Sequence, residues 1–154
     1  MIRRVQPADI EQLVELCRLH AAYEAAEYAE NHQAERLKTA LFGNEPELFG
    51  WVAEGSSGLL DGYMTAVVEF ATWPAKRFIY MDCLYLRPDA RGRGLGRAFI
   101  DALISFASKR CISRLEWQTP PSNELGIGFY RRLGAVDTSK RRFRLDSVDA
   151  REPN

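Results

Sequence analysis

Three glycines alternate with charged and apolar residues in one short stretch, Arg91-Gly92-Arg93-Gly94-Leu95-Gly96-Arg97. Glycine permits a tight turn and leaves its backbone N–H groups uncovered by side chains. The stretch follows an apolar run and precedes an amphipathic one, as in a strand–turn–helix unit. Free N–H groups and the helix dipole at a helix N-terminus favour an anion, and the arginines add positive charge. The stretch therefore predicts a pyrophosphate site.

Three nucleotide-binding motifs compete for this turn. A Walker P-loop closes with Gly-Lys-Ser/Thr, which does not occur in the sequence. A Rossmann turn needs a third glycine where Arg97 stands, although Glu116 lies at about the right distance, roughly 20 residues on, for the acidic ribose partner. The third pattern is Arg-x-x-Gly-x-Gly, formed by Arg91, Gly94 and Gly96. The alternative to all three is a glycine-rich connection with solvated arginines.

Three further residues have side chains that could take part in chemistry. Asp82 is a single acid in an otherwise apolar strand, and a buried carboxylate without a partner is costly, so a site role is favoured. Strand alternation predicts that Cys83 faces the opposite side, as a small buried residue rather than a nucleophile. Tyr130 offers an O–H donor, although a Phe-Tyr pair on a helix is also typical of core packing.

The composition, 46% hydrophobic and 27% charged over 154 residues, is typical of one soluble globular domain. We expect a single domain over 1–154 with a frayed tail from about residue 147. No apolar run of about 18 residues and no signal peptide are visible, which predicts a cytoplasmic protein without membrane contact. The three cysteines are widely spaced and only two histidines occur, so we expect reduced thiols and no metal.

Charge is unevenly distributed along the chain. Residues 1–86 carry 13 acidic and 7 basic side chains, whereas residues 87–154 carry 8 and 14. A basic second half suits a phosphate-rich cofactor and an acidic first half suits a cationic substrate, but two solvated surfaces would give the same counts. No basic run with interleaved aromatic residues occurs, so no nucleic-acid partner is expected.

Periodicity places the elements that position these residues. Helical spacing follows Pro7, and alternation over two segments around Gly55–Gly58 predicts a hairpin. Their order, β-α-α-β-β-β-α-β-α-β, implies a mixed α/β sheet with helices on both faces. The predicted strands are 1–5, 48–54, 59–70, 77–86, 115–118 and 142–145, and the predicted helices are the segment after Pro7, about 31–42, the segment after the glycine turn, and 124–133.

Over nearly its whole length the chain resembles the GNAT family of N-acetyltransferases. Within that family it is similar to the diamine (spermidine/spermine) acetyltransferase branch and its thialysine-acetylating relatives. The resemblance implies a mostly antiparallel twisted sheet of six to seven strands flanked by about four helices. It is carried by the Arg-x-x-Gly-x-Gly pattern, Tyr23-Glu24, Phe42–Pro46, Tyr80–Leu86, Asn123-Glu124 and Phe129–Ala135.

The resemblance also implies roles and partners. Acetyl-CoA would be the cofactor, the acetyl group would pass directly to a primary amine of a small cationic substrate, and the chain would form a homodimer. Tyr130 would act as the general acid and Asp82 as the base or amine anchor, with Tyr23 and Glu24 bordering the substrate. The implied cofactor-binding residues are Leu84, Tyr85, Leu86, Arg91, Gly92, Arg93, Gly94, Leu95, Gly96, Arg97, Asn123, Glu124 and Gly126.

The sequence departs from the branch in the acceptor region. The usual Glu-Asp pair is Asp82-Cys83 here, which favours a small monoamine or diamine, or a lysine-like amino acid, over a long polyamine. Two other functions remain open: a protein N-terminal or lysine acetyltransferase, which needs an open groove, and a non-catalytic acyl-CoA-binding module. Residues 23–30 suggest a covered acidic pocket instead. Trp73 either shapes that pocket or anchors its loop by burial, and Trp51 and Trp73 offer suggestive support for the dimer.

Overall fold

A computed structural model describes residues 1–29, 31–56 and 58–146, so the tail from residue 147 lies outside the described residues. The chain folds as two compact units, residues 1–120 and the segment from Pro121 onward. The single-domain organisation stays a prediction. The elements are β1 Ile2–Arg4, α1 Ile10–Tyr23, α2 Gln33–Phe42, β2 Phe49–Glu54, β3 Leu60–Ala71, β4 Lys76–Leu86, α3 Leu95–Ser108, β5 Leu115–Glu116 and α4 Glu124–Arg132, with single 3₁₀ turns at Pro7–Asp9 and Pro88–Ala90.

The sheet runs β1-β2-β3-β4-β5, with antiparallel pairing up to β4 and a parallel β4–β5 pair. The predicted α/β class with a mixed, mostly antiparallel sheet is confirmed, but the described residues form five strands rather than six to seven. Residues 142–145, predicted as the last strand, form neither helix nor strand. These four residues alternate between arginine and an apolar side chain, a pattern that predicts only which face of a strand would be buried. A strand also needs a neighbouring strand to accept its backbone hydrogen bonds.

Helices cover both faces of the sheet in the unit of residues 1–120. On one face, α1 and α2 pack on Val52, Tyr63 and Tyr85 in a single apolar cluster. On the other face, Phe106 of α3 contacts Trp51 edge-on, with ring centroids 5.1 Å apart. Successive side chains of a strand point to opposite faces of the sheet, so the neighbours Trp51 and Val52 of β2 lie in the two different layers. No helix in the described part of the chain is long and apolar enough to cross a bilayer.

An ionic clamp fixes the start of α1. The Arg3 guanidinium donates to both carboxylate oxygens of Asp9, at 2.7 and 2.9 Å, and to Glu54 Oε1 at 2.6 Å. The backbone N–H of Gln6 also donates to Asp9, at 2.7 Å. These bonds lower the pKa of the Asp9 carboxyl, Arg3 contributing most, while burial opposes the change. The clamp ties β1 to the turn from which α1 departs.

The hairpin between β3 and β4 ends in exposed aromatic residues. Trp73 is 98% exposed and Phe70 is 64% exposed. The alternative in which a buried Trp73 anchors this loop is therefore wrong, because the pairs Phe70–Arg77 and Ala71–Lys76 close the hairpin before the tryptophan reaches any core. Trp51, by contrast, is only 4% exposed and belongs to the layer under α3.

Candidate functional site

The C-terminal half of β4 has one free edge within the unit of residues 1–120. Along its length β4 pairs with β3, whereas β5 pairs with it only at Ile79 and Tyr80. From Met81 to Leu86, no described strand of this unit occupies the second edge. A strand edge of this kind presents alternate N–H and C=O groups to an extended ligand.

The hydrogen bonds beside β4 identify which residues face that edge. The Arg87 N–H donates to the Asp61 carbonyl at 2.8 Å, so these two residues form a hydrogen-bonded pair. Hydrogen-bonded and non-hydrogen-bonded pairs alternate along an antiparallel ladder, and the next pair, Gly62–Leu86, is therefore not hydrogen-bonded. By the same alternation Leu84 and Leu86 direct their main-chain groups away from β3. Arg91 Nε donates to the Leu86 carbonyl at 3.1 Å, in agreement with that direction.

A β-bulge in β4 changes the face of the sheet to which the Asp82 side chain points. Thr65 pairs with Cys83 and Ala66 with Met81, so Asp82 is the extra residue. The Cys83 Sγ lies 3.6 Å from Asp82 Oδ2, and the Asp82 charge acts on Cys17 and His20 of α1. Asp82 and Cys83 therefore both lie on the α1 face. The prediction of opposite faces is wrong, because the extra residue interrupts the period of two.

Cys83 is held as a thiol. Burial, followed by the Asp82 carboxylate, raises the pKa of Cys83 to about 12. The thiolate is the nucleophilic form of cysteine, so this environment disfavours an acetylated cysteine. The three cysteines are free, and among the described residues no group of three His, Cys, Asp or Glu side chains is placed to hold a metal ion.

His20, in the last turn of α1, belongs to the candidate site although no sequence motif marks it. Its Nδ1 lies 2.9 Å from the Tyr63 hydroxyl and its Nε2 lies 3.2 Å from Glu24 Oε1. The imidazole stacks on Tyr85 at 5.1 Å between ring centroids. Burial lowers the pKa of His20, and the Glu24 carboxylate partly opposes that effect. The available signal was spacing: His20 lies seven residues after Leu13, on the apolar side of the helix, and four before Glu24.

Tyr23 and Arg91 close one side of this cluster. The Arg91 guanidinium carbon lies 4.6 Å from the centroid of the Tyr23 ring and 5.8 Å from that of Tyr85. The first arginine of the glycine motif thus spans from the free edge of β4 to the end of α1. Tyr23 is 44% exposed, and Glu24 and Glu27 are exposed as well. This exposure contradicts the covered acidic pocket expected here, although the Tyr28 hydroxyl does reach back to α1 and donates to the Val14 carbonyl at 3.4 Å.

The glycine turn has the geometry that an anion site needs. Gly92 and Gly94 have φ values of +74° and +79°, and no heavy atom lies within 4 Å of a Cβ added at either position. Gly94 is the N-cap of α3, and the first N–H groups of a helix have no partner within it. Leu95, Gly96 and Arg97 form that first turn. Arg93 pairs with Asp61 at 3.3 Å and Arg97 with Asp101 at 2.9 Å. The turn therefore fits a pyrophosphate.

The remaining predicted site residues belong to the unit from Pro121 onward. Asn123 Oδ1 accepts a hydrogen bond from the Gly126 N–H at 3.1 Å and so caps α4, with Glu124 in the first turn. The Tyr130 ring lies beside that of Phe129, at 5.3 Å between centroids. The Tyr130 carbonyl accepts from the Ala135 N–H at 3.1 Å. Their contacts with cofactor and substrate stay predictions.

Comparisons with known proteins agree with this geometry. The sequence model of the acetyltransferase (GNAT) family matches residues 11–135. The thialysine N-epsilon-acetyltransferase of Bos taurus is 26% identical over 147 residues, covering 91% of this chain and 86% of the relative. That of Caenorhabditis elegans is 27% identical over 149 residues, covering 94% and 90%. A predicted acetyltransferase from Clostridium acetobutylicum, solved with acetyl-CoA, superposes with a TM-score of 0.77 at 22% identity over 95% of each chain; this likeness shows the fold.

Proposed function

Since the chain belongs to the acetyltransferase (GNAT) family and is an N-acetyltransferase, we propose that its acceptor is a primary amine of a small cationic molecule: a diamine, a polyamine or a lysine-like amino acid. One observation carries the proposal. Two carboxylates from distant parts of the chain, Glu24 and Asp82, both act on the imidazole of His20. A pair of negative charges on one face attracts an ammonium group. The Bos taurus and Caenorhabditis elegans relatives carry the name of an amine acetyltransferase.

We propose acetyl-CoA as the co-substrate, which when bound supplies the activated acetyl thioester. The free edge of β4 supports this assignment, because Leu84 and Leu86 direct main-chain groups to it and Tyr85 lies between them. An extended amide-containing chain pairs with such an edge as an added strand does. The glycine turn and the start of α3 then receive the pyrophosphate.

The proposed chemistry is a direct transfer. A carboxylate beside an ammonium group stabilises its charged form and opposes proton loss, so a base must take the proton before the amine nitrogen attacks the carbonyl carbon. Asp82 is that base, and as the carbon–sulfur bond breaks Tyr130 donates a proton to the departing sulfur. The second proton that the nitrogen loses as the amide forms passes to solvent, from which Tyr130 is protonated again. Because Cys83 is held as a thiol, a ternary complex is favoured over an acetyl-enzyme. Initial-rate plots at several acetyl-CoA concentrations should intersect.

The test is CoA release with putrescine, spermidine, lysine, thialysine and aminoglycosides. Asp82→Asn and Tyr130→Phe should each lower kcat by about 10²-fold or more, the size expected for removal of a general base or acid. Glu69→Gln is the matched control, since Glu69 is an exposed acid of the same sheet, on β3. Strong turnover of a neutral or anionic acceptor, or an Asp82→Asn enzyme with unchanged rates, would contradict the proposal.

A protein N-terminus or protein lysine is the second candidate acceptor. The exposure of Tyr23 and Glu24 favours it, because a peptide needs an open approach to the site. A panel of lysine peptides and free N-terminal peptides, assayed beside the small amines, separates the two acceptor classes by kcat/KM. Binding of acetyl-CoA without CoA release on any amine would instead indicate a non-catalytic acyl-CoA-binding module.

We also propose a homodimer. The exposed Phe70 and Trp73 at the end of the β3–β4 hairpin support it, since aromatic residues are enriched in protein interfaces. Trp51 gives no support because it is buried in the layer under α3. The molar mass from light scattering at micromolar concentration measures this assembly.

A further inference from the structure

His20 is surrounded by charged and aromatic side chains from several elements. Glu24 contacts it from the end of α1, Tyr63 from β3 and Tyr85 from β4. Asp82 of β4 and Arg91 of the glycine turn act on it through their charges, the first favouring and the second disfavouring the protonated imidazole. The side chain is only 13% exposed. The proposed chemistry uses both carboxylates near it but gives this residue no role.

The two hydrogen-bond partners define one tautomer of the neutral ring. An ionised carboxylate only accepts hydrogen bonds, so Nε2 must carry the proton that is donated to Glu24. Nδ1 is then the acceptor, and the Tyr63 hydroxyl donates to it at 2.9 Å. Burial raises the pKa of Tyr63, which keeps this hydroxyl protonated and able to donate. Both ring nitrogens are thus satisfied without a second proton on the imidazole.

We propose that neutral His20 is a positioning residue that holds the Glu24 carboxylate toward the acceptor amine, and that protonation of His20 weakens acceptor binding. The inference rests on the proposed cationic acceptor. The imidazolium would neutralise the charge of Glu24 and place a cation beside Asp82, where the acceptor's ammonium group is to bind. His20 contacts no reacting atom in this assignment, so its effect falls on acceptor KM rather than on kcat.

The sign of the pH dependence follows from the environment of His20. Burial keeps the pKa of His20 below its ordinary value, so the ring is neutral at pH 7 and gains a proton only in the acid range. A cationic acceptor binds the neutral form better, and by linkage it opposes that protonation. Acceptor KM should therefore be constant from pH 7 to 8 and rise as the pH falls through the pKa of His20.

Two substitutions of His20 test the hydrogen bonds of its two ring nitrogens separately. In His20→Gln the side-chain amide replaces Nε2–H as the donor to Glu24, whereas in His20→Asn the amide oxygen replaces Nδ1 as the acceptor for Tyr63. At pH 8 we expect the glutamine variant to keep acceptor KM within about threefold of wild type. Asparagine should raise it about tenfold, the effect of losing one hydrogen bond to a charged group, about 1.5 kcal/mol. Both variants should keep kcat within about twofold and lose the rise in KM at low pH.

Nitrogen-15 NMR of the imidazole in the full-length protein supplies the readout that activity alone cannot. Wild type should show the Nε2–H tautomer at pH 8, and Glu24→Gln should lower the pKa of His20 further, since the Glu24 carboxylate raises it. This measurement decides the question even where the His20 variants fail to fold, as monitored by thermal denaturation. An Nδ1–H tautomer, or a pKa that Glu24→Gln leaves unchanged, overturns the inference.

The failures of the two proposals are distinguishable. Equal acceptor KM values for His20→Gln and His20→Asn, with an active wild type, overturn the positioning role and leave the cationic acceptor in place. A rise in KM at low pH that persists in His20→Gln does the same. Absence of turnover by wild type on every cationic amine overturns both proposals.

Discussion

Replacing Gly94 by alanine separates backbone strain from cofactor binding, because the chain contains a matched control. Gly94 has φ +79° and Gly58, in the turn between β2 and β3, has φ +78°. An alanine Cβ would meet no heavy atom within 4 Å at either position. The two substitutions therefore impose the same left-handed strain, about 1–2 kcal/mol. For a chain of this size that strain corresponds to a fall in Tm of about 2–8 °C.

Only Gly94 lies at the start of α3, where the proposed pyrophosphate site is. A methyl group there would occupy the open space beside the first turn of α3, where a phosphate bound to the unpartnered N–H groups of the helix would lie. Loss of one hydrogen bond to a charged oxygen is worth about 1.5–3 kcal/mol, which is about a ten- to hundredfold loss of affinity. We expect Gly94→Ala to raise the Kd of acetyl-CoA by that factor, and Gly58→Ala to leave it within about twofold of wild type.

Calorimetric titration of acetyl-CoA into both variants, beside thermal denaturation of the free proteins, gives the two quantities separately. Equal losses of affinity in Gly94→Ala and Gly58→Ala would show that strain acts through the whole fold. Wild-type affinity in Gly94→Ala would refute the placement of the pyrophosphate at this turn. A large difference in Tm between the variants would remove Gly58 as a control, and Gly134→Ala, with φ +86° and equal space, would replace it.

Three further outcomes are expected. Asp9→Asn should lower the free energy of unfolding by about 2 kcal/mol at pH 7, since residue 9 then loses its charged bond to Arg3. Because the folded-state pKa of Asp9 is lowered, the difference between wild type and variant in urea titrations should shrink as the pH falls below the ordinary aspartate pKa. A difference that stays constant with pH would contradict the clamp. Iodoacetamide at pH 8 should modify the exposed Cys111 well before Cys83, whose pKa is about 12, as followed by mass spectrometry; recovery of acetylated Cys83 during turnover would contradict direct transfer. Trp73→Ser should lower the mass measured by light scattering from dimer to monomer, and a monomeric wild type would end the dimer proposal.

Much of the fold could be predicted from the sequence because its signals are local. The helix after Pro7, the hairpin around Gly55–Gly58 and the helix after the glycine turn all form at the predicted places in the chain. Each depends on periodicity or on turn residues within a few positions of one another. The same holds for the backbone at Gly92 and Gly94, where residue type alone permits the left-handed conformation that is observed.

The tertiary structure decided which side chains meet at the proposed acceptor site. The bulge at Asp82 turns its side chain toward α1, and no local pattern marks that extra residue, because it exists only in the register between β3 and β4. His20 acquires its neighbours in the same way, from β3, β4 and the end of its own helix. In contrast, the alternating segment at 142–145 has the pattern of a strand without forming one. Residue spacing determines backbone conformation and which face is apolar, whereas the meeting of side chains distant in sequence depends on strand register and packing, which are properties of the folded chain as a whole.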